Sequence, residues 1–323
     1  NVTFLKDATA ASIWGAQAAN GVIVLTTKSG SARGELNIEY NGSFTFKGMP
    51  DYDYMDVMSS ADFIKVAQEV FDPDTYSWKD INNTTFGTSA SFPVVYPHED
   101  AMYRFYNGEI SAAECNSILD KLSRSNGREQ YEKYFMSNSY LTNHSLSFSG
   151  GSDNNNYYLS LEYQREQGSS QNIADEYKVY MRDMLDVTKW LKLDLSLNAF
   201  YAKQTSHLSS SDEYGGNHLT SLPYATFFDE NGEELSYTGY LMNGALQQSV
   251  ESVTGFSLDY MPVSDWRKSL DKRNTYSVRA NAGLTIDIFD GLSYEGRFQY
   301  MIDNSKSEQF YPGETYKVRL DRA

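Results

Sequence analysis

Residues Glu35 to Phe46 read ELNIEYNGSFTF. Leu36, Ile38, Tyr40, Phe44 and Phe46 fall on one side of an extended chain, and Glu35, Asn37, Glu39, Asn41, Ser43 and Thr45 on the other, because successive side chains of a strand point to opposite faces. Only Gly42 interrupts the apolar side. The same period of two returns six more times. Asn143 to Gly150 places Leu146 and Phe148 together; Tyr157 to Gln164 sets Tyr157, Leu159, Leu161 and Tyr163 opposite Tyr158, Ser160, Glu162 and Gln164. Tyr177 to Val187 follows the rule less cleanly, since Asp183 falls on the apolar side. Leu191 to Ala202 sets Leu191, Leu193, Leu195, Leu197, Ala199 and Tyr201 against Lys192, Asp194, Ser196 and Asn198. Thr275 to Phe289 and Leu292 to Asp303 continue the pattern, with Arg279 on the polar side of the first and Glu295 and Arg297 on that of the second.

Strands of roughly 8 to 15 residues exceed the soluble mode of about 5 or 6 and match the 9 to 11 that cross a bilayer at a tilt. The connections carry a second signal. Gly151 to Asn156, Lys189-Trp190 and Asp290-Gly291 read as tight turns, whereas Lys47 to Thr142, Gly168 to Glu176 and Lys203 to Asn274 read as long. Short and long connections alternate in outer-membrane barrels, which have short periplasmic turns and long outer loops. Aromatics mark the strand ends: Phe46, Tyr163, Tyr177, Tyr201, Tyr276 and Tyr300 toward the long loops, Tyr157 and Trp190 near the short turns. A soluble sandwich would have to cover these apolar faces with a second layer, and few other apolar segments are present to supply it. The fold expected is therefore all-β: a transmembrane antiparallel β-barrel, to which the chain contributes seven strands.

Composition agrees. Among 323 residues there are 26 Tyr, 17 Phe and 4 Trp, about 15% aromatic, and tyrosine suits surfaces that are half wet and half apolar. A net charge of −16 argues against nucleic acid or anionic-lipid surfaces as partners. One cysteine, Cys115, rules out a disulfide framework or a multi-cysteine metal centre within the chain.

Residues 1–33 are of another kind. Leu5 to Ser12 reads as a helical turn entered at Asp7, Gly15 ends it, Asn20-Gly21 makes a tight turn, and Val22 to Thr27 reads as a buried strand. The run KDATAASIWGAQAANGVIVLTTKSG resembles the C-terminal end of the plug domain in SusC-like (RagA-type) TonB-dependent transporters, on Lys6, Asp7, Ala8, Ala10, Gly15, Ala19, Asn20, Gly21, Val22, Ile23, Thr26, Thr27, Lys28 and Gly30. It departs at Trp14, where the family usually has Tyr, and at Gln17, where Arg is frequent. A later run, NHSLSFSGGSDNNNYYLSLEYQREQG, resembles the family's early barrel. The resemblance implies that residues 1–33 end an α+β plug and that residues 34–323 begin a barrel of about 22 strands, roughly 800 to 850 residues when complete. The long loops near 47–142 and 203–274 would then be extracellular. It further implies a protein of the bacterial outer membrane, in contact with outer-membrane lipid. That protein would import oligosaccharides or peptides, be energised by TonB through a segment lying before Asn1, and be paired with a SusD-like surface lipoprotein. A passive porin or adhesin barrel shares the strands without the plug motif; a soluble all-β carbohydrate-binding module is the remaining alternative.

No catalytic set emerges. There is no G-x-S-x-G elbow, and Cys115 sits within an expected helix beside Glu114. Ser59-x-x-Asp62 and Ser111-x-x-Glu114 read as capping boxes opening helices in the first long loop. Trp78, Tyr214, Tyr224 and Trp266 are candidate sugar-stacking platforms, with packing within the loops as the competing role. Asp72, Asp74 and Asp80 hint at calcium, but their loop lacks the glycine and closing glutamate of an EF-hand, so no metal or other cofactor is assigned. His207, Asp212, Glu213 and His218 have no ligand-grade spacing. Arg279, Glu295 and Arg297 are expected to face the lumen.

Overall fold

A computed structural model describes residues 2–5, 22–25, 34–54, 56–83, 92–208 and 222–323. Near the start, β1 (Val2–Leu5) and β2 (Val22–Leu25) form an antiparallel pair with Phe4 opposite Ile23. This corrects two expectations: Leu5 belongs to a strand rather than a helical turn, and Ile23 is 62% exposed rather than buried. The remainder of the expected plug run, with Lys6, Asp7, Gly15, Asn20, Gly21, Thr26, Thr27 and Lys28, lies outside the described residues.

The seven expected strands are β3 (Gly34–Lys47), β4 (Ser139–Ser152), β5 (Asn155–Gln167), β6 (Ile173–Thr188), β7 (Leu191–His207), β8 (Leu270–Phe289) and β9 (Leu292–Phe310). They form one antiparallel sheet in sequence order, each strand beside its chain neighbour. The register lines up their odd and even faces across the whole sheet. One row runs Tyr40, Leu146, Leu161, Val179, Ala199, Val278, Ile302, and the next Ile38, Phe148, Leu159, Met181, Leu197, Ala280, Tyr300. A one-residue slip anywhere would send half of this band to the opposite face, so the alternation itself fixes the register. On the band, Gly150 lies under Tyr157: a Cβ there would come within 2.5 Å of the tyrosine Oη, so the ring covers a position that only glycine leaves open.

Several strands run past the sequence boundaries because polar residues prolong the ladder beyond the apolar stretch, as Lys203 to His207 does against Leu270 to Asn274. For that reason the connection expected over Gly168 to Glu176 shrinks to Gly168–Asn172, with Gln171 at φ 60. Only Gly48–Asn138 and Leu208–Ser269 are long. At the opposite end, turns at Asp153–Asn154, Lys189–Trp190 and Asp290–Gly291 are two residues each, with Gly291 in the left-handed region that such turns demand.

The buried core lies in the long connections. The first carries α1 (Ser60–Val70), α2 (Trp78–Ile81), α3 (Pro97–Tyr106), α4 (Ala112–Ser123) and α5 (Gly127–Phe135); the second carries α6 (Gly244–Thr254) and α7 (Pro262–Lys268); α8 (Tyr316–Arg322) follows β9. One of the two expected capping boxes is complete: Ser111 Oγ accepts the Glu114 amide at 3.2 Å while Glu114 accepts the Ser111 amide at 2.8 Å. At Ser59 only the N-cap half forms, Oγ accepting the Asp62 amide at 3.1 Å, because the shorter Asp62 carboxylate takes the Ser59 hydroxyl (2.7 Å) instead of its amide. One cluster joins Phe135, Phe227, Tyr237, Tyr260, Trp266 and Tyr316, drawn from all three segments; another joins Ile64, Met102, Cys115, Leu119, Leu222 and Tyr224. Polar clamps tie the segments together. Gln130 Oε1 accepts the amides of Phe227 (2.7 Å) and Phe228 (2.8 Å), and its Nε2 donates to the Phe228 carbonyl at 3.0 Å. Asn243 Nδ2 donates to the carbonyls of Ile81 (2.9 Å) and Pro93 (2.8 Å). Gly127 is pressed against the second segment: a Cβ would lie 2.3 Å from the Ala225 carbonyl oxygen.

Candidate functional site

Three surfaces carry the chemistry: the apolar face of the sheet, its polar face, and the helical cap built from the long connections. The apolar face has sharp limits. On β7 it runs from Leu191 to Tyr201, eleven residues, and on β8 from Ile286 back to Tyr276, the length that crosses a hydrocarbon core at a tilt. It ends in a row of aromatics toward the long loops: His144, Tyr163, Tyr177, Tyr201 and Tyr276. Tyr163 and Tyr177 pack with ring centroids 5.1 Å apart, and Tyr177 stacks on Tyr201 at 6.1 Å. Their hydroxyls lead to the next row, which is polar: Tyr163 Oη donates to Asp175 at 2.9 Å and Tyr201 Oη to Asn274 Oδ1 at 3.2 Å. Ring in the apolar band and hydroxyl in the polar row is the arrangement of an aromatic girdle at an interface. No helix among the described residues is long and apolar enough to cross a membrane.

The opposite face is a network of charges and amides. Arg182 grips Asp194 through two parallel bonds, Nε to Oδ1 at 2.9 Å and Nη2 to Oδ2 at 2.6 Å. Lys178 lies between Glu162 (3.1 Å) and Glu176 (3.3 Å), and Asn281 bonds Ser196 at 3.0 Å. Arg279, Glu295 and Arg297 stand on this face; Arg297 pairs with Glu295 at 2.5 Å, and Arg279 reaches the Met301 sulfur at 3.2 Å. The arrangement offers hydrogen-bonding and charged groups to water or to a polar ligand, and nothing in it amounts to a nucleophile with a base.

Within the cap, the candidate aromatic platforms separate. Tyr224 is 1% exposed and its hydroxyl bonds His98 Nδ1 at 2.6 Å; Trp266 is 8% exposed, with its ring 4.1 Å from His207 and 5.0 Å from Phe135. Both are packing residues, and no sugar face can reach them here. Sequence reading counts aromatics without seeing that two connections remote in the chain enclose them. Trp78, at the start of α2, is half-buried, and Tyr214 lies outside the described residues. Burial drives His98 down to about 4, pushes the Tyr224 hydroxyl up, and raises the Cys115 thiol, which is a core side chain. The three aspartates of the calcium motif are not drawn together: Asp72 accepts the Asp74 amide at 3.0 Å, whereas Asp80 exchanges bonds with Ser77 as a helix cap. Among the described residues no group of three or more carboxylate, histidine or cysteine side chains could hold a metal ion. His207 lies on Trp266, and its suggested companions Asp212, Glu213 and His218 are outside the described residues.

The cap also holds a feature the sequence reading missed, a cleft of about 590 Å³ between α1 and α4. Lys65, Gln68, Asn116, Ser117, Asp120 and Ser123 line it. The available signal was the polar side of each amphipathic helix; that the two sides converge follows only from the packing of Ile64 against Leu119 beneath them.

No protein-family model matches the chain. Among curated proteins it is 24% identical over 314 residues to TonB-dependent receptor P3 of Formosa agariphila, covering 95% of this chain and 25% of that protein. It is 46% identical over 55 residues to TonB-dependent receptor SusC of Bacteroides thetaiotaomicron, covering 17% of this chain and 6% of that one. In sequence the chain is similar to TonB-dependent receptors, SusC among them. Solved structures of the RagAB peptide importer share its fold: the closed-closed state superposes with a TM-score of 0.66 at 19% identity, over 98% of this chain and 33% of the other. The open-open state gives 0.63 at 20% identity, over 95% and 32%. The chain thus spans about a quarter of the P3 receptor and a third of the importer chains.

Proposed function

We propose that this chain is the early part of an outer-membrane importer of the SusC type. In this reading the apolar band faces lipid, the polar face lines the inside of a barrel, and the cap lies outside the cell. The observation that carries it is the eleven-residue apolar stretch closed off by a tyrosine row whose hydroxyls enter a polar row. A passive porin or adhesin would share that band; the likeness to TonB-dependent receptors along 95% of the chain supports energised import instead. A soluble carbohydrate-binding module is disfavoured, because among the described residues no second layer covers the apolar face and the buried clusters lie in the connections.

The rest of the mechanism is part of the same proposal. Strands β3 and β9 each have one neighbour in the sheet, so further strands of a longer chain would join them to close the barrel. Residues 1–33 would end a plug seated inside it, with Lys6, Asp7, Gly15, Asn20, Gly21, Thr26, Thr27 and Lys28 as its motif residues. Arg279, Glu295 and Arg297, with the Arg182–Asp194 and Lys178–Glu162 pairs, would meet plug or solute across the lumen. TonB would pull on the plug from the periplasm, and a SusD-like lipoprotein would close over the cap. The cargo is an oligosaccharide or a peptide; a net charge of −16 suits neutral glycans or basic peptides. No covalent step is needed, so the protein is a transporter and not an enzyme. Deleting the TonB-contacting segment of the full-length protein should abolish growth on its glycan or peptide while leaving the protein in the outer membrane. Undiminished growth would refute energised import.

A further inference from the structure

Above the tyrosine row, on the same face of the sheet, the charge changes sign. The first row beyond it reads Arg165, Asp175, Lys203, Asn274, Lys306 from β5 to β9, and the second places Lys272 between Thr205 and Glu308. All four cations are exposed. Asp175 pairs with Arg165 at 3.3 Å and Glu308 with Lys306; Lys272 lies across from Glu308 and interacts with it electrostatically, and Lys203 makes no ion pair among the described residues, so four cations meet two carboxylates. A cationic surplus here runs against the −16 of the chain. Strands lie about 4.8 Å apart, so Lys203 and Lys306 stand roughly 10 Å from one another with Lys272 on the strand between, within the joint reach of three long side chains. Just below Arg165, the apolar face carries a groove of about 360 Å³ lined by Tyr40, His144, Leu146, Leu161, Tyr163 and Tyr177.

We propose that this stretch of outer wall binds a phosphorylated, acylated lipid of the outer leaflet, with phosphate held by Lys203, Lys272 and Lys306, flanked by Arg165, and an acyl chain lying in the groove. The inference rests on the reading that the apolar band faces lipid. Charge complementarity selects the occupant: cations one or two rows above an aromatic girdle sit at headgroup depth, where each contributes about fivefold toward an anionic surface. The groove beneath supplies what a free phosphate could not use.

The test uses the full-length protein extracted in detergent from outer membranes. Lipid retention is measured by native mass spectrometry with diphosphorylated lipid A, with the same lipid dephosphorylated, and with diphosphorylated lipid A plus excess inorganic phosphate. The proposal expects retention of the phosphorylated lipid to exceed that of the dephosphorylated one by at least tenfold and to resist inorganic phosphate. It expects a fall of about a hundredfold in a K203Q/K272Q/K306Q variant and recovery in the corresponding triple Arg variant. Equal retention of the two lipids, displacement by inorganic phosphate, or an unchanged triple Gln variant that still shows heat-modifiable gel migration would overturn the lipid site while leaving the barrel reading intact. Recovery of the wild-type protein in the soluble fraction without detergent would overturn the barrel reading itself, and the lipid site with it.

Discussion

Ala280 lies near the middle of the apolar band on β8, between Leu197 and Tyr300, and Gln299 lies on the opposite face beside Asn281. Midway between Tyr276 and Ile286 the chain passes through Asn281, so an arginine at position 280 would sit close to the bilayer midplane. A lipid-facing Arg at that depth costs about 2 to 4 kcal/mol, and near an interface about 0 to 1. Ala280→Arg should therefore lower the folding equilibrium of the full-length protein by roughly 30- to 1,000-fold, Ile286→Arg by less than about tenfold, and Gln299→Arg hardly at all. A companion change separates lipid from a packed protein layer. Ala280→Leu would overpack a closed core by about 1 to 3 kcal/mol, but a methyl-rich side chain facing lipid has room and should cost nothing. The assay is reversible urea unfolding of protein inserted in phosphatidylcholine vesicles, followed by tryptophan fluorescence and the heat-modifiable band. Equal losses for Ala280→Arg and Gln299→Arg, or a loss of more than about 1 kcal/mol for Ala280→Leu, would refute the assignment of faces.

The cap yields three further predictions. Gln130→Leu leaves the part-buried amides of Phe227 and Phe228 without their acceptor, which should weaken the cap by about 1 to 3 kcal/mol and speed hydrogen exchange at those two amides first. Gly127→Ala drives a Cβ to within 2.3 Å of a backbone oxygen and should cost at least about 2 kcal/mol of cap stability, read by limited proteolysis of the two long connections. His98 titrates at about 4 when folded against an ordinary 6.5, so the unfolded chain binds its proton first as pH falls. Its contribution is complete above pH 6.5 and disappears toward pH 4, about 3 kcal/mol at most; melting of the cap should show that slope, and His98→Phe should flatten it.

Much of this fold was legible in the sequence because a sheet in two solvents writes its pattern at period two. Leu191 to Tyr201 could be assigned by face before any pairing was known, and the same count placed Arg279, Glu295 and Arg297 on the polar side. What failed did so for physical reasons. Lys203 to His207 and Ile173 to Glu176 look like loop by composition, yet they are strand, since a ladder already begun extends cheaply into water once its neighbour is there. Tyr224 and Trp266 looked like binding platforms because an aromatic in a polar loop is conspicuous. Only the meeting of residues 92–136 with 222–269 shows that the two rings are core. The cleft between α1 and α4 and the cationic rows above the tyrosines depend on register and helix packing, which no single segment encodes.

The central claim is that one face of the seven-stranded sheet meets lipid and the other water. Spin labels placed singly from Leu193 to Phe200 in a Cys115→Ser background of the full-length protein, reconstituted in vesicles, measure it directly through collision with oxygen and with a water-soluble nickel chelate. The account predicts oxygen maxima at 193, 195, 197 and 199, chelate maxima at 194, 196, 198 and 200, and the greatest contrast near 195 to 197. A flat profile, or the opposite phase, would contradict it.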